Sequence, residues 1–332
     1  MIIALAGGVG GAKLAKGLAA ILPPEKLLVV VNTGDDFEHL GLSISPDIDT
    51  VMYTLAGRAD PDRGWGLAGE TWNFMAALEL VGGETWFQLG DRDLATHLQR
   101  TTRLGRGETL SEVTAHLCRC YGVSHRVVPM SDDEVRTVLH TREGVLAFQD
   151  YFVRRRCEPA VTGIEFRGAA TANPSAAFDQ ALGSKELEAI IICPSNPLLS
   201  IGPILALSGI RARLASLNIP RIAISPIIQG QAVKGPAAKI MRELGREPSA
   251  VMVAEMYGNA VNGMVIEECD RAQIERMTRM GITGMPAPTV MKNDADQQQL
   301  ARTVLQFAQS MRASLETASR NTEKWHPGCS FP

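Results

Sequence analysis

The sequence predicts an α/β fold, with a Rossmann-like, mostly parallel sheet, helices on both faces and a small inserted α+β subdomain. Along most of the 332 residues, short apolar runs alternate with segments of helical periodicity, the pattern of a parallel sheet covered by helices. The first run, 2–6, leads directly into a glycine-rich turn. Between 131 and 167 the pattern changes to short runs typical of antiparallel strands.

The individual elements follow from these periodicities. Strands are predicted at 2–6, 27–31, 86–89, 126–129, 189–193, 221–225 and 249–253. Helices are predicted at 13–21, 48–55, 71–80, 95–103, 110–121, 203–207 and 236–244. Strands in the insertion are predicted at 135–140, 145–148 and 151–155. The predicted organisation is a core in two parts, 1–130 and 171–317, an inserted subdomain at 131–170 and a loose C-terminal tail at 318–332.

Composition limits the classes of function. With 45% hydrophobic residues, the chain can bury a substantial core. A net charge of -3 indicates no basic surface for nucleic acid. No apolar run approaches the roughly 18 residues of a membrane span, so we expect no membrane partner. The chain starts in an apolar run without a charged leader, and this predicts a cytoplasmic location.

Cysteine and histidine spacings give no sign of a structural metal. The six cysteines form no paired C-x-x-C motifs, and the six histidines form no H-x-x-x-H pair. We therefore expect neither a disulfide framework nor a transition-metal site.

The glycine loop after the first strand predicts a phosphate site. The segment 7–13 reads GGVGGAK, and a helical pattern follows it. Glycines let backbone N–H groups at a helix start approach a phosphate closely. A P-loop would need Ser or Thr after Lys13, where Leu14 stands, and the dinucleotide fingerprint would need a small residue at position 13. The alternative is a tight turn that binds no ligand.

An acidic run follows the second strand. Asp35 and Asp36 are followed within about a dozen residues by Asp47 and Asp49. Carboxylates beside a phosphate site repel the phosphate unless a divalent cation binds between them or a hydroxyl must be activated. This combination predicts metal-assisted chemistry on a nucleotide. The alternative for Asp47 and Asp49 is capping of the helix that begins near them.

Arg92 lies in the segment 89–93, after a predicted strand, where open α/β sheets bind ligands. There it could hold a phosphate or an aromatic ring. The alternative is a helix start capped by Asp93, with Arg92 in solvent.

Two further strand ends carry polar groups. Ser195 and Asn196 lie between two prolines in a rigid loop that could recognise a nucleotide, or they only satisfy the turn. Lys234 follows another strand with glycines and a helix start, which is a second candidate anion site; the alternative is a solvated loop lysine.

Together these segments resemble the 2-phospho-L-lactate transferase family of coenzyme F-420 biosynthesis, in particular its bacterial phosphoenolpyruvyl transferase type. The resemblance covers residues 1 to about 257. It rests on 4–14, 32–36, 44–51, 89–97, 194–197 with 200–203, and 225–228 with 234–237.

The resemblance implies a Mg²⁺-dependent, homodimeric phosphotransferase for substituted phosphate groups. Such enzymes move a three-carbon phospho-acid from a guanosine diphosphate conjugate to the side-chain hydroxyl of the deazaflavin Fo, and GMP is released. An enolpyruvyl donor gives dehydro-F-420-0 and is favoured here; a lactyl donor would give F-420-0, and a glyceryl donor stays open. Functional coupling to the guanylyltransferase that forms the donor is also implied.

Residue roles follow from the resemblance and from the motifs together. Asp36, Asp47 and Asp49 are the expected metal ligands, with Asp36 and Asp49 as the catalytic candidates. The resemblance implies that Asp49 and Arg92 contact Fo. The other expected substrate-binding residues are Gly8, Gly10, Gly11, Lys13, Ser195, Asn196 and Lys234.

Two other classes of protein were weighed. A non-catalytic nucleotide-binding regulator similar to the YvcK type would share the strand, glycine loop and acidic turn. The additional segments 45–50 and 90–93 favour the transferase, because they supply a metal site and an acceptor site. A nicotinamide oxidoreductase is disfavoured, because this chain lacks the glycine pattern of that class.

Overall fold

The computed structural model describes residues 1–323, with side chains through residue 317. The strands are β1 Ile2–Ala6, β2 Leu27–Val31, β3 Phe37–His39, β4 Leu42–Ile44, β5 Arg126–Pro129, β6 Arg136–Thr141, β7 Gly144–Ala147, β8 Val161–Arg167, β9 Ala189–Ile192, β10 Arg221–Ile224, β11 Ile227–Ile228, β12 Gln231–Ala232, β13 Gly263–Ile266 and β14 Thr283–Pro286. The α-helices are α1 Gly8–Ala19, α2 Pro46–Leu55, α3 Asn73–Leu80, α4 Asp93–Leu104, α5 Leu110–Cys120, α6 Ala176–Leu182, α7 Ile201–Ala206, α8 Ile210–Ser216, α9 Ala237–Glu243, α10 Ala250–Tyr257, α11 Ile274–Arg279 and α12 Asp294–Glu323.

Seven strands form one parallel sheet, in the order β14-β13-β10-β9-β1-β2-β5. All five residues of β1 are buried, as expected for a strand covered on both faces. The chain moves from β1 to β2 and β5 on one side, then returns to β9 on the other. Ligands of doubly wound sheets bind at this change of direction, outside the carboxyl ends of the two central strands. The predicted Rossmann-like fold is confirmed.

Residues of β1 alternate between two hydrophobic cores. Ile3 and Leu5 belong to a core on one face of the sheet. Ile2 and Ala4 belong to a core on the opposite face, together with Leu14 of α1. Helices therefore cover both faces, as the alternation of apolar runs predicted.

The predicted insertion contains a separate antiparallel sheet, in the order β7-β6-β8. The predicted strand at 151–155 is wrong, because Asp150–Arg154 forms a short π-helix. Strand β8 was not predicted.

Three further differences concern the run 249–253, the segment 86–89 and one edge of the sheet. The run 249–253 is the start of α10, where the Ser249 hydroxyl caps the helix by accepting the Met252 N–H at 3.0 Å. Residues 86–89 form no strand. Strands β13 and β14, which extend the sheet at one edge, were not predicted.

The predicted tail divides at residue 323. Residues 318–323 are the last part of α12 rather than a loose segment, and 324–332 lie outside the described residues. No helix in the described part of the chain is long and apolar enough to cross a membrane. The five cysteines within this part are free thiols: Cys118, Cys120, Cys157, Cys193 and Cys269.

Candidate active site

The glycine loop after β1 packs against the loop after β9. The N–H of Gly7 donates to Ser195 Oγ at 3.2 Å. A Cβ on Gly10 would lie 2.3 Å from the Pro194 carbonyl oxygen, and one on Gly11 would lie 2.4 Å from Ser195 Oγ. Gly10 and Gly11 therefore let the two loops approach closely. Helix α1 begins at Gly8 rather than at Lys13, so most of the loop is its first turn.

Asp47 joins this loop to the acidic segment. Its Oδ1 accepts the N–H of Gly8 at 2.6 Å, which places a carboxylate at the N-terminus of α1. The amide of Asn32 donates to Asp47 Oδ2 and to Asp35 Oδ1, both at 3.0 Å. Asn32 itself is held by the Gly34 N–H, which donates to its Oδ1 at 2.8 Å. Asn32 therefore orients two carboxylates toward one another, a role that sequence reasoning did not assign to it.

Burial dominates the electrostatics of this group. It raises the pKa of Asp36 to about 8, although the Ser45 hydroxyl and Arg100 favour the charged form. It raises the pKa of Asp47 to about 6, against the hydrogen bonds from Asn32 and Gly8. The pKa of Asp35 is raised well above its ordinary range by burial and by the neighbouring Asp47 and Asp36. The cluster Asp35–Asp36–Asp47 is therefore short of positive charge.

Asp49 belongs to a different cluster. Its Oδ1 pairs with Nη2 of Arg100, a guanidinium whose side chain is only 1% exposed. His97 lies beside both, with Nδ1 3.7 Å from Asp49 Oδ2 and Nε2 3.4 Å from Asp93 Oδ2. Asp93 also accepts the Tyr53 hydroxyl at 2.5 Å. Sequence reasoning missed Arg100 and His97, although residues 93, 97 and 100 are spaced for one face of α4.

Asp49, Asp93 and His97 each offer a ligand atom, and these atoms lie within 4.8 Å of one another. The hydrogen bonding disfavours a metal there. Arg100 Nη1 lies 3.2 Å from His97 Nδ1. Since a guanidinium only donates, Nδ1 must accept, and the ring proton lies on Nε2. If His97 bound a metal through Nε2, its ring proton would have to lie on Nδ1. That proton would then face the N–H of Arg100, and two donors cannot form a hydrogen bond with each other. The arrangement therefore favours an ion-pair network.

A cavity of about 570 Å³ opens at the change of direction between β1 and β9. Asp35, Asp47 and Asp49 line it beside the glycine loop. Its apolar lining includes Trp65 from the segment after α2 and the stacked pair Phe148 and Phe152, with ring centroids 5.3 Å apart. The inserted subdomain therefore forms part of the cavity wall.

Two lysines supply positive charge to this cavity. Lys13 Nζ donates to the Met291 carbonyl at 2.9 Å, and Lys234 Nζ to the Arg63 carbonyl at 3.4 Å. A carbonyl oxygen carries no formal charge, so neither of these contacts supplies a counter-ion to the ammonium group.

The cavity brings together most of the predicted site residues: Gly8, Gly10, Lys13, Asp47, Asp49, Ser195, Asn196 and Lys234. Asn196 also shapes its own turn, since its Oδ1 accepts the N–H groups of Leu198 and Leu199 at 3.0 and 3.2 Å.

Three predicted residues lie elsewhere. Gly11 packs against Ser195. Asp36 lines an adjoining cavity of about 690 Å³, which shares Asp35 with the first. Arg92 is exposed and donates to the Ala68 carbonyl at 3.2 Å.

Comparisons with known proteins show which proteins this chain resembles. The phosphoenolpyruvate transferase of Kitasatospora aureofaciens is 41% identical over 320 residues, covering 94% of this chain and 98% of that protein. The 2-phospho-L-lactate transferase of Methanosarcina mazei is 39% identical over 305 residues, covering 92% and 99%. A crystal structure of a UPF0052 family protein from Bacillus halodurans has a TM-score of 0.60 and covers 92% of this chain and 98% of its own. At 12% identity it shows the fold alone.

The family resemblance stated from the sequence motifs is confirmed by a family model that matches residues 2–306. The chain therefore belongs to the 2-phospho-L-lactate transferase CofD family of transferases.

Proposed function

We propose that this protein transfers a phosphoenolpyruvyl unit from a guanosine diphosphate conjugate to the side-chain hydroxyl of Fo in coenzyme F-420 biosynthesis. The hydroxyl oxygen attacks the phosphorus that carries the three-carbon acid. The bond from that phosphorus to the bridging oxygen breaks, and GMP leaves with the bond electrons. The products are dehydro-F-420-0 and GMP; a 2-phospholactyl unit would give F-420-0 by the same step.

The observation that carries this proposal is the composition of the cavity. A glycine loop, two lysines and buried carboxylates lie in one space of about 570 Å³, which falls within the usual range for ligand sites. Phosphoryl-type transfer depends on positioning and charge stabilisation more than on covalent participation by the protein. We propose that Lys13 and Lys234 hold the donor diphosphate near Gly8.

The chemistry of several buried carboxylates supports the proposal of a hard divalent cation such as Mg²⁺. Asp36 Oδ1 has no hydrogen-bond partner among the described residues, and the pKa values of Asp36 and Asp47 are raised because burial is incompletely compensated. Oxygen ligands of this type suit Mg²⁺. We propose that Asp36 and Asp47 hold the cation together with Asp35, which sequence reasoning left unassigned. Mg²⁺ bound there would neutralise charge on the donor phosphates.

We propose a different role for Asp49, the third predicted metal ligand. Arg100 pairs with Asp49 Oδ1, but burial still raises the pKa of Asp49. Asp49 Oδ2 is buried and has no hydrogen-bond partner in the described part of the chain. A carboxylate with one oxygen held and the other without a partner can accept the proton of an attacking hydroxyl. Asp49 would then align the Fo hydroxyl and take up its proton, and the contact of Arg92 with Fo stays a prediction.

A turnover assay tests the reaction. Purified protein is incubated with Fo, Mg²⁺ and donor formed in situ from GTP and phosphoenolpyruvate, 2-phospholactate or 3-phosphoglycerate, and products are read by mass. A deazaflavin with the added phospho-acid, in step with GMP, is expected with phosphoenolpyruvate. Failure to form product when the donor is demonstrably present would contradict the proposal and favour a non-catalytic nucleotide-binding regulator.

The predicted homodimer and the coupling to the donor-forming guanylyltransferase are also proposals. Light scattering of the purified protein tests the first. For the second, transfer is measured with the guanylyltransferase present and compared with preformed donor at the same concentration; equal rates would exclude coupling.

A further inference from the structure

Arg100 is an unusual residue to find at its position. Among the residues whose burial the structure describes, it is the largest fully buried side chain, only 1% exposed, and it lies on α4. Taking a guanidinium out of water is costly unless its donors are paired. Its contacts therefore indicate what compensates this cost.

The guanidinium joins three elements at once. Nη2 pairs with Asp49 Oδ1 on α2. Nη1 donates to His97 Nδ1 on α4 at 3.2 Å and to the Ser43 carbonyl on β4 at 3.3 Å. A planar fork with five donors can make these contacts together, whereas the single ammonium of a lysine cannot reproduce their geometry.

The same contacts identify Arg100 as the charge partner of Asp49. His97 accepts at Nδ1 from Arg100, so it cannot donate to Asp49 from that nitrogen. Its distance to Asp49 Oδ2, 3.7 Å, is also longer than a hydrogen bond. Asp49 lines the cavity, whereas Arg100 is not among the residues that line it.

We propose that Arg100 is a positioning residue for the transfer reaction, which fixes Asp49 through Oδ1 and thereby leaves Oδ2 for the acceptor hydroxyl. The inference rests on the proposed function, because it gives Asp49 its place in that step. Arg100 itself contacts neither substrate. Its loss should therefore change the rate of the chemical step and leave substrate affinity nearly unchanged.

The experiment compares Arg100→Lys and Arg100→Met with the wild-type protein in the turnover assay, varying Fo and donor separately. We expect Arg100→Met to lower kcat about 100-fold, as for a catalytic group displaced by about 1 Å, with both KM values within about threefold of wild type. Arg100→Lys keeps the positive charge but loses the planar fork of donors, so we expect kcat to fall about tenfold. Arg103→Met, on the same helix and paired with Glu108, is the matched control and should keep wild-type kcat.

Folding is checked separately. Arg100→Met leaves Asp49 buried and unpaired, whereas the double variant with Asp49→Asn removes both charges, so the double variant should be more stable than Arg100→Met alone. If Arg100→Met does not fold, Arg100→Lys decides the matter. A folded Arg100→Lys or Arg100→Met with wild-type kcat, or with a loss confined to KM, would overturn the proposal. A wild-type protein without turnover would instead contradict the proposed function itself.

Discussion

Asp36 makes a specific prediction about how stability depends on pH. Its carboxyl is buried, and burial raises its pKa from the ordinary 3.8 to about 8. A raised pKa means that the folded protein binds a proton that the unfolded chain has released. Without a divalent cation, Asp36 should therefore destabilise the fold increasingly as pH rises from about 4 to about 8. Below that interval both states are protonated and the penalty disappears.

The magnitude follows from the same values. Between about pH 5 and pH 8 the free energy of unfolding should fall by about 1.4 kcal/mol per pH unit, or about 4 kcal/mol in all. Asp36→Asn keeps an oxygen that can accept the Ser45 hydroxyl, which donates to Asp36 at 2.7 Å. The variant has no titratable group at position 36. Its free energy of unfolding should therefore lose the part of the pH dependence that comes from Asp36. Structural relaxation and water entry reduce the cost of burying a charge. We therefore expect the free energy of unfolding to fall by about 2 to 4 kcal/mol more in wild type than in Asp36→Asn between the two pH values.

The assay is urea unfolding in the presence of a chelator, at about pH 5 and about pH 8, for wild type, Asp36→Asn and the exposed-site control Asp62→Asn. The control should follow wild type. Parallel pH dependence in wild type and Asp36→Asn would refute the reasoning. With Mg²⁺ added, wild type should gain more stability at the higher pH, because the carboxylates are then already ionised.

Three further predictions concern activity and packing. Asp49→Asn should keep the fold and lower kcat by about 1,000-fold or more, as expected for loss of a general base; retained turnover would remove Asp49 from the mechanism. Arg92→Ala should raise KM for Fo by about tenfold, the loss of one good contact, with donor KM unchanged; an unchanged Fo KM would limit Arg92 to its surface contact. Gly10→Ala should cost about 1 to 3 kcal/mol in urea unfolding, because its Cβ would lie 2.3 Å from the Pro194 carbonyl oxygen. In the control Gly183→Ala, the added Cβ would have no neighbour closer than 3.7 Å. Equal losses of unfolding free energy in the two variants would contradict the packing argument.

Prediction from sequence succeeded where a local pattern decides the structure. Continuous apolar runs specify buried parallel strands, so β1 and β2 were placed correctly. Prediction from sequence failed at 249–253, because an apolar run of about five residues fits a strand and a buried helix equally well. The Ser249 cap selects the helix there.

In the candidate site, the sequence by itself determined the chemical groups: a glycine loop after β1, the carboxylates after β2 and the lysines near strand ends. These follow from chain order, because parallel strands deliver their carboxyl ends to one edge of the sheet. Only the tertiary structure decided the partners. It paired Asp47 with Gly8 and Asp49 with Arg100, contacts that span 39 and 51 positions of the chain. Such pairings depend on how helices pack against the sheet, and residue spacing along one segment carries no information about them.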